Sequence, residues 1–129
     1  MLDAQHLVLD LIRALRPLCT QIQRHSPDLA DQLRRSVSSI ALNLGEGVRR
    51  TGRDKKRAYR IAAAEAQEAK VTLEVALAWG WLDEPDVAAV RALAECSFSS
   101  ADQALVIARD GAAPAGTEIE ARCQVVTGT

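Results

Sequence analysis

Aromatic side chains are scarce in this chain. Only four occur among its 129 residues, namely Tyr59, Trp79, Trp81 and Phe98, although apolar residues make up 48% of the sequence. The interior must therefore be built mainly from Ala, Leu and Val. Helix propensity favours Ala and Leu, whereas strands are enriched in aromatic and β-branched residues. The composition predicts an all-α domain rather than a β-sandwich.

Histidine is also scarce, which limits the possible metal sites. His6 and His25 are the only two, and neither belongs to the Glu-x-x-His pattern by which helical bundles bind two metal ions. Glu65 and Glu68 lie three residues apart, and a pair of carboxylates can serve acid–base chemistry. Solvation or pairing with arginine is the simpler interpretation of that pair. We therefore expect no enzymatic activity, no metal and no cofactor.

Long apolar runs are absent as well. No stretch approaches the roughly 20 apolar residues that span a membrane, and the first residues lack the basic segment of a signal peptide. The three cysteines, Cys19, Cys96 and Cys123, are odd in number and far apart in the sequence. This pattern favours reduced thiols over a disulfide framework. The sequence predicts a cytoplasmic protein that does not contact a membrane.

Apolar residues recur every three or four positions along four segments, which predicts four helices. The periodicity of the first helix continues through Pro17. Short connections predict an antiparallel up-down-up-down four-helix bundle over residues 1–110. Residues 111–129 lack periodicity and are expected to form a flexible tail. The expected core stripes are Leu7, Leu11, Leu15, Leu18 and Ile22; Leu29, Leu33, Val37, Ile40 and Leu44; Ala62, Ala66, Ala69, Leu73 and Ala76; and Val87, Val90, Ala94, Phe98, Ala101, Leu105 and Ala108.

Polar residues and glycines mark the ends of these helices. Ser26 is expected to cap helix two, which should fade from Gly45 onward, and Asp54 is expected to cap helix three. Gly80 is suited to a left-handed C-cap, after which Trp81 would fold back onto the last turn of helix three. The alternative for this tryptophan is stacking against a nucleic-acid base. We favour the capping role.

A row of polar residues runs beside the core stripe of helix two. Its members are Gln32, Ser36, Ser39, Asn43 and Glu46. Their spacing of four, three, four and three keeps all five on one side of a helix. The row is interpreted either as a seam that contacts a neighbouring helix or subunit, or as the lining of a ligand site. The first interpretation is favoured because an elongated row with few titratable groups is poorly suited to catalysis.

The turn between helices two and three is strongly basic. Residues 49–60 carry one acid, Asp54, and seven cations. The cations are Arg49, Arg50, Arg53, Lys55, Lys56, Arg57 and Arg60. Lys55, Lys56 and Arg57 are expected in the first turn of helix three, where each opposes the helix dipole by about 0.3–1 kcal/mol. The run predicts binding of phosphate groups or of an acidic partner, with a merely solubilising turn as the alternative.

The stretch from Leu29 to Leu82 resembles a known family. The matching residues are Gln32-Leu33-Arg34-Arg35-Ser36, Ser39-Ile40, Asn43-Leu44-Gly45-Glu46-Gly47, Arg50, Ile61-Ala62, Glu68 and Gly80-Trp81-Leu82. Their order and spacing resemble those of a bacterial four-helix bundle family. This family was first identified as proteins encoded within intervening sequences of 23S ribosomal RNA genes. That family includes the accessory variability determinants of diversity-generating retroelements. The resemblance implies a homo-oligomer, namely a ring-shaped pentamer, and the accessory proteins bind nucleic acid and a reverse transcriptase. Arg35, within the matching stretch, joins the polar row as a residue of the seam or subunit contact.

Two functional hypotheses follow. The first is a non-enzymatic, homo-oligomeric binding module whose basic turn binds RNA, DNA or an acidic partner. The second is a scaffold without nucleic acid. Residues 1–60 carry 12 Lys and Arg against 6 Asp and Glu, and residues 61–129 carry 4 against 11, for a net charge of −1. In the scaffold, the basic turn would pair with the acidic second half, and the small net charge favours this alternative.

Overall fold

Helices account for all regular secondary structure in the part of the chain that the computed structural model describes, which is residues 3–88, 90–92, 94 and 95. The all-α class is therefore confirmed. The expected flexible tail, the later half of the fourth core stripe, Cys96 and Cys123 lie outside the described residues.

Three long helices are followed by the start of a fourth. Helix α1 spans Asp3–His25, α2 spans Pro27–Arg49 and α3 spans Gly52–Ala78. The helical residues 84–88, 90–92, 94 and 95 form the fourth helix. As the periodicity predicts, α1 continues through Pro17.

The junction of α1 and α2 has the predicted cap. Ser26 is the one residue between the two helices, and its Oγ accepts a hydrogen bond from the backbone N–H of Leu29 at 3.2 Å. Pro27 occupies the first helical position, where its missing N–H costs nothing. A single residue in the connection keeps α1 and α2 packed as neighbours. Gln5 Nε2 of α1 donates to the Ala41 carbonyl of α2 at 3.3 Å.

The connection between α2 and α3 is shorter than the sequence predicts. Helix α2 does not fade at Gly45 but continues to Arg49, so the turn consists of Arg50 and Thr51 alone. Helix α3 begins at Gly52, whose φ of 58° is a conformation that glycine adopts at little cost.

Asp54 is not the cap of α3, contrary to the prediction. Thr51 holds the N-cap position without a side-chain hydrogen bond, and Asp54 lies in the first turn, where its carboxylate complements the helix dipole. Because α3 begins three residues earlier than expected, Lys55 is the only one of the three predicted cations in the first turn. Arg53 joins it there, and Lys56 and Arg57 lie in the second turn.

The core follows the predicted stripes, except that Leu7 and Leu29 are only half-buried and Val8 is buried in α1. The side chains of Leu11, Ile22, Leu33, Ile40 and Leu44 are fully buried, as are Ala62, Ala69 and Ala76 of α3. Small residues along α3 let its backbone approach the neighbouring helices closely. Val87, Val90 and Ala94 of the fourth helix are buried in the same cluster.

The end of α3 has the predicted glycine cap. Gly80 has a φ of 78°, and its N–H bonds the carbonyl of Leu77 at 3.0 Å. The N–H of Trp81 bonds the carbonyl of Ala76, also at 3.0 Å. These two bonds define a Schellman motif, and the half-buried Trp81 packs against the core as the motif requires.

Candidate functional site

The seven cations at residues 49–60 surround the two-residue turn between α2 and α3. We call them the basic surface. Arg49, Arg50, Arg53, Arg57 and Arg60 are exposed, and Lys55 and Lys56 are partly exposed. Arg53, Arg57 and Arg60 follow one another at spacings of four and three, so they share one side of α3.

Few of these charges are neutralised by neighbours. Arg50 Nη2 pairs with Glu46 Oε1 at 2.8 Å, and both side chains are largely exposed. Within the described part of the chain, none of the other six cations forms an ion pair. An exposed pair contributes little energy, so nearly the full positive charge of this surface is available to a partner.

A buried tyrosine fixes the base of the basic surface. Tyr59 is 4% exposed, and its ring packs closely against Gly47 of α2. A Cβ atom at Gly47 would overlap the ring, with Tyr59 Cζ only 2.9 Å from it. Burial raises the pKa of the Tyr59 hydroxyl above its usual value. The contact holds the end of α2 against the start of α3. It therefore determines the positions of the cations of the basic surface.

Sequence reasoning missed this contact. It treated Gly47 as a sign that the helix fades and gave Tyr59 no role. A lone tyrosine in an aromatic-poor chain, twelve residues after a glycine across a short turn, is the signal that could have indicated it. This separation in sequence predicts a contact only once the turn between the two helices is known to have two residues.

The polar row of α2 divides into separate contacts. Asn43 Nδ2 donates to the Ser39 carbonyl at 2.8 Å and lies 3.1 Å from Ser39 Oγ. Arg35 Nη2 reaches Gln32 Oε1 at 3.4 Å, and Glu46 binds Arg50. All the hydrogen bonds found for the row run within α2 or to its C-cap. Ser36 is buried, and its Oγ has no hydrogen-bond partner in the described structure. A subunit contact at this row stays a prediction.

Aromatic rings stack at the opposite end of α3. His25 and Trp81 have ring centroids 5.8 Å apart with planes 3° from parallel, and Trp79 stacks on the other tryptophan at 5.8 Å. The stack joins the ends of α1 and α3. It supports the structural role predicted for Trp81.

The remaining titratable groups include one exposed cluster of ion pairs, in which Arg91 pairs with Glu84 at 2.8 Å and with Glu74 at 3.3 Å. Glu65 is half-buried and Glu68 is exposed. Among residues 3–95, as far as they are described, no three His, Cys, Asp or Glu side chains are grouped to hold a metal ion. Burial raises the pKa of the Cys19 thiol, and the nearby Arg34 partly opposes this effect. None of the described helices has a stretch that is both long and apolar enough to cross a membrane.

Comparison with known proteins identifies one family. The model of the 23S rRNA-intervening sequence protein family matches residues 2–98, which include all three long helices and the basic surface. Searches of curated proteins and of solved structures found no match.

Proposed function

The chain belongs to the 23S rRNA-intervening sequence protein family, and from this premise we propose that it is a non-enzymatic homo-oligomeric module whose basic surface binds RNA or DNA. One observation carries the proposal. Six cations without an ion pair in the described structure are grouped around a two-residue turn that a buried tyrosine holds in place. Unpaired cations on a fixed support can approach phosphates without first breaking internal contacts.

The proposed architecture is an antiparallel up-down-up-down bundle in a cytoplasmic pentamer. Connections of one and two residues favour it, because helices joined so closely pack as antiparallel neighbours. Contacts near both ends of α1 and α2 agree: Gln5 reaches Ala41, and Gln23 Oε1 accepts from Arg34 Nη1 at 2.9 Å. The pentamer rests on the family resemblance. A ring of identical subunits would repeat the basic surface around one face.

Salt dependence tests the binding. If four phosphate contacts form, raising salt from roughly 50 to 200 mM should weaken binding about a hundredfold, because counterions are released from the nucleic acid. Sequence preference should be slight, since phosphate contacts carry no base information. Replacing Arg53, Lys55, Lys56 and Arg57 by Ala should abolish the binding and leave the assembly intact, as measured by fluorescence anisotropy and light scattering.

A matched control removes the same charge elsewhere. Arg13, Arg16, Arg24 and Lys70 are exposed residues outside the basic surface. Their joint replacement by Ala lowers the net charge equally and should weaken binding far less. If both quadruple variants bind alike, the attraction is a property of overall charge and the proposed surface is wrong. If the wild-type protein shows no salt-sensitive binding, the scaffold alternative is favoured.

The scaffold keeps one argument in its favour, the net charge of −1. Within the described part of one subunit, however, the basic surface pairs with Glu46 and not with acids of the second half. The scaffold therefore requires that pairing between subunits or with the acids of residues 96–129, which lie outside the described part of the chain. A reverse transcriptase is a further candidate partner, suggested by the resemblance to retroelement accessory proteins. A reverse-transcriptase gene beside the gene for this chain would favour it.

A further inference from the structure

Trp79 is the most exposed of the aromatic residues that the structure describes. It is 68% exposed, whereas Tyr59 is buried and Trp81 is half-buried. The backbone of Trp79 is fixed, because its N–H bonds the Val75 carbonyl at 3.0 Å. The contact back onto the core belongs to Trp81. Neither the glycine cap nor the core therefore uses the exposed ring of Trp79.

The ring of Trp79 is part of a supported stack of three rings. It lies 5.8 Å from the ring of Trp81, with planes 15° apart, and Trp81 also stacks on His25. We call these three residues the aromatic stack. Trp81 covers one side of the Trp79 indole, and the high exposure of Trp79 leaves the other side open to solvent. A further planar ring can pack there at little cost in side-chain entropy, because the indole is already held.

Trp79 lies on the same side of α3 as the arginines of the basic surface. It follows Arg57 by 22 residues, and the helical backbone continues through it with φ of −73° and ψ of −10°. At 3.6 residues per turn the two residues are about 40° apart around the helix, and at 1.5 Å per residue they are about 33 Å apart along it. A nucleic-acid strand with a rise of 3.4 Å per nucleotide covers that distance in about ten nucleotides.

An open indole face suits an unpaired base. Every base has a π face, so stacking on an aromatic side chain contributes affinity with little dependence on sequence. In a duplex, both faces of a base are covered by the neighbouring pairs, whereas a single strand can turn a base outward onto a protein ring. The ligand chemistry that fits Trp79 is therefore a base of a single strand.

The charges near the aromatic stack separate this contact from the phosphate contacts. Asp83, Glu84 and Asp86 follow the stack in sequence and are exposed, and of the three only Glu84 forms an ion pair in the described structure. These acids disfavour a phosphate close to the stack, although salt screens exposed charges beyond about 8 Å. Stacking needs no cation. The phosphates are therefore expected at the basic surface, and only a base face at Trp79.

We propose that Trp79 stacks on an unpaired base of a single-stranded nucleic acid whose phosphates lie on the basic surface. Trp81 and His25 support the ring and do not themselves contact the strand. The inference rests on the proposed nucleic-acid binding and adds the class of strand that is bound.

Tryptophan fluorescence tests the contact directly. Trp79 and Trp81 are the only tryptophans of the chain, so its tryptophan emission comes from the aromatic stack alone. A single strand of about 15 thymidylates is long enough to reach from the basic surface to Trp79, and it should quench this emission. Trp79→Ala should weaken binding of that strand by about 5- to 100-fold. Trp79→Phe keeps an aromatic ring and should weaken it much less.

An abasic strand of the same length is the matched ligand control. It keeps the phosphates and lacks the bases, so it should bind the wild-type protein and Trp79→Ala equally and leave the emission unquenched. Leu42→Ala is the matched protein control. It removes an apolar side chain that is 72% exposed on α2, and it should leave the affinity for the thymidylate strand unchanged. Circular dichroism should show that both alanine variants keep the wild-type helicity, because each removes an exposed side chain.

The outcomes separate this inference from the proposed function. The stacking proposal is overturned if the bound thymidylate strand leaves the emission unquenched, or if Trp79→Ala binds it as tightly as the wild-type protein does. The proposed function survives that result when replacement of the four cations of the basic surface still abolishes binding. A wild-type protein that binds neither strand contradicts both proposals. Equal weakening by Leu42→Ala and Trp79→Ala would also overturn stacking, because the effect would then follow from loss of any exposed apolar side chain.

Discussion

Gly47→Ala tests the contact that positions the basic surface. Glycine inside a helix normally costs about 1 kcal/mol relative to alanine, so this substitution would stabilise an unconstrained helix. At Gly47, however, the new methyl group overlaps the Tyr59 ring, with Cδ1 2.7 Å and Cζ 2.9 Å from it. The ring is buried against the core and has little room to rotate away.

The expected net effect is destabilising. Overpacking of a core costs about 1–3 kcal/mol, and a rigid ring places this case near the upper end. After subtraction of the helix-propensity gain, the free energy of unfolding should fall by about 2 kcal/mol. At roughly 4 °C per kcal/mol for a domain of this size, thermal unfolding at fixed protein concentration should shift downward by about 8 °C.

A double-mutant cycle isolates the contact. In a Tyr59→Leu background the ring is absent, and Gly47→Ala should then stabilise the protein by up to about 1 kcal/mol. Gly45→Ala is the control, because a Cβ atom there meets only the end of the flexible Gln5 side chain. It should change stability less than Gly47→Ala does. The ring does not constrain this glycine if Gly47→Ala stabilises the wild-type protein. The same conclusion follows if Gly47→Ala changes the free energy of unfolding in the same direction in the wild-type and Tyr59→Leu backgrounds.

Much of the fold could be predicted from the sequence because the strongest signals are local. The cap by Ser26 and the Schellman motif at Gly80 each depend on residues within one turn of the helix end. The apolar stripes of α1 and α2 likewise identify the core, since helix periodicity alone decides which positions face inward.

The end of α2 could not be predicted in the same way. Gly45 and Gly47 weaken a helix locally, and a local rule therefore ends the helix there. Packing of Tyr59 on Gly47 overrides that rule, and the ring belongs to a helix beyond the turn. The exposed apolar side chains of α3 are a similar case. Periodicity shows that α3 is apolar on two lines, but exposure of Val71 and Trp79 is known only once the neighbouring helices are in place.

Two further predictions concern stability around the basic surface. Asn43→Ala, which removes the bonds to Ser39, and Glu46→Ala, which removes the pair with Arg50, should each lower the melting temperature slightly; unchanged stability with lost partner binding would instead make the row a functional site. Alkaline pH should destabilise the fold through Tyr59. Burial raises the pKa of this hydroxyl in the folded state above its unfolded value of 10.0, so the folded state holds the proton more tightly. The stabilising effect is complete below pH 10 and is lost as the pH rises through the folded-state pKa. Tyr59→Phe cannot ionise and should lose less stability between about pH 9.5 and 11.5. The measurement is the melting temperature of each protein at several pH values in that interval. If the two melting temperatures fall in parallel as the pH rises, Tyr59 does not titrate with unfolding.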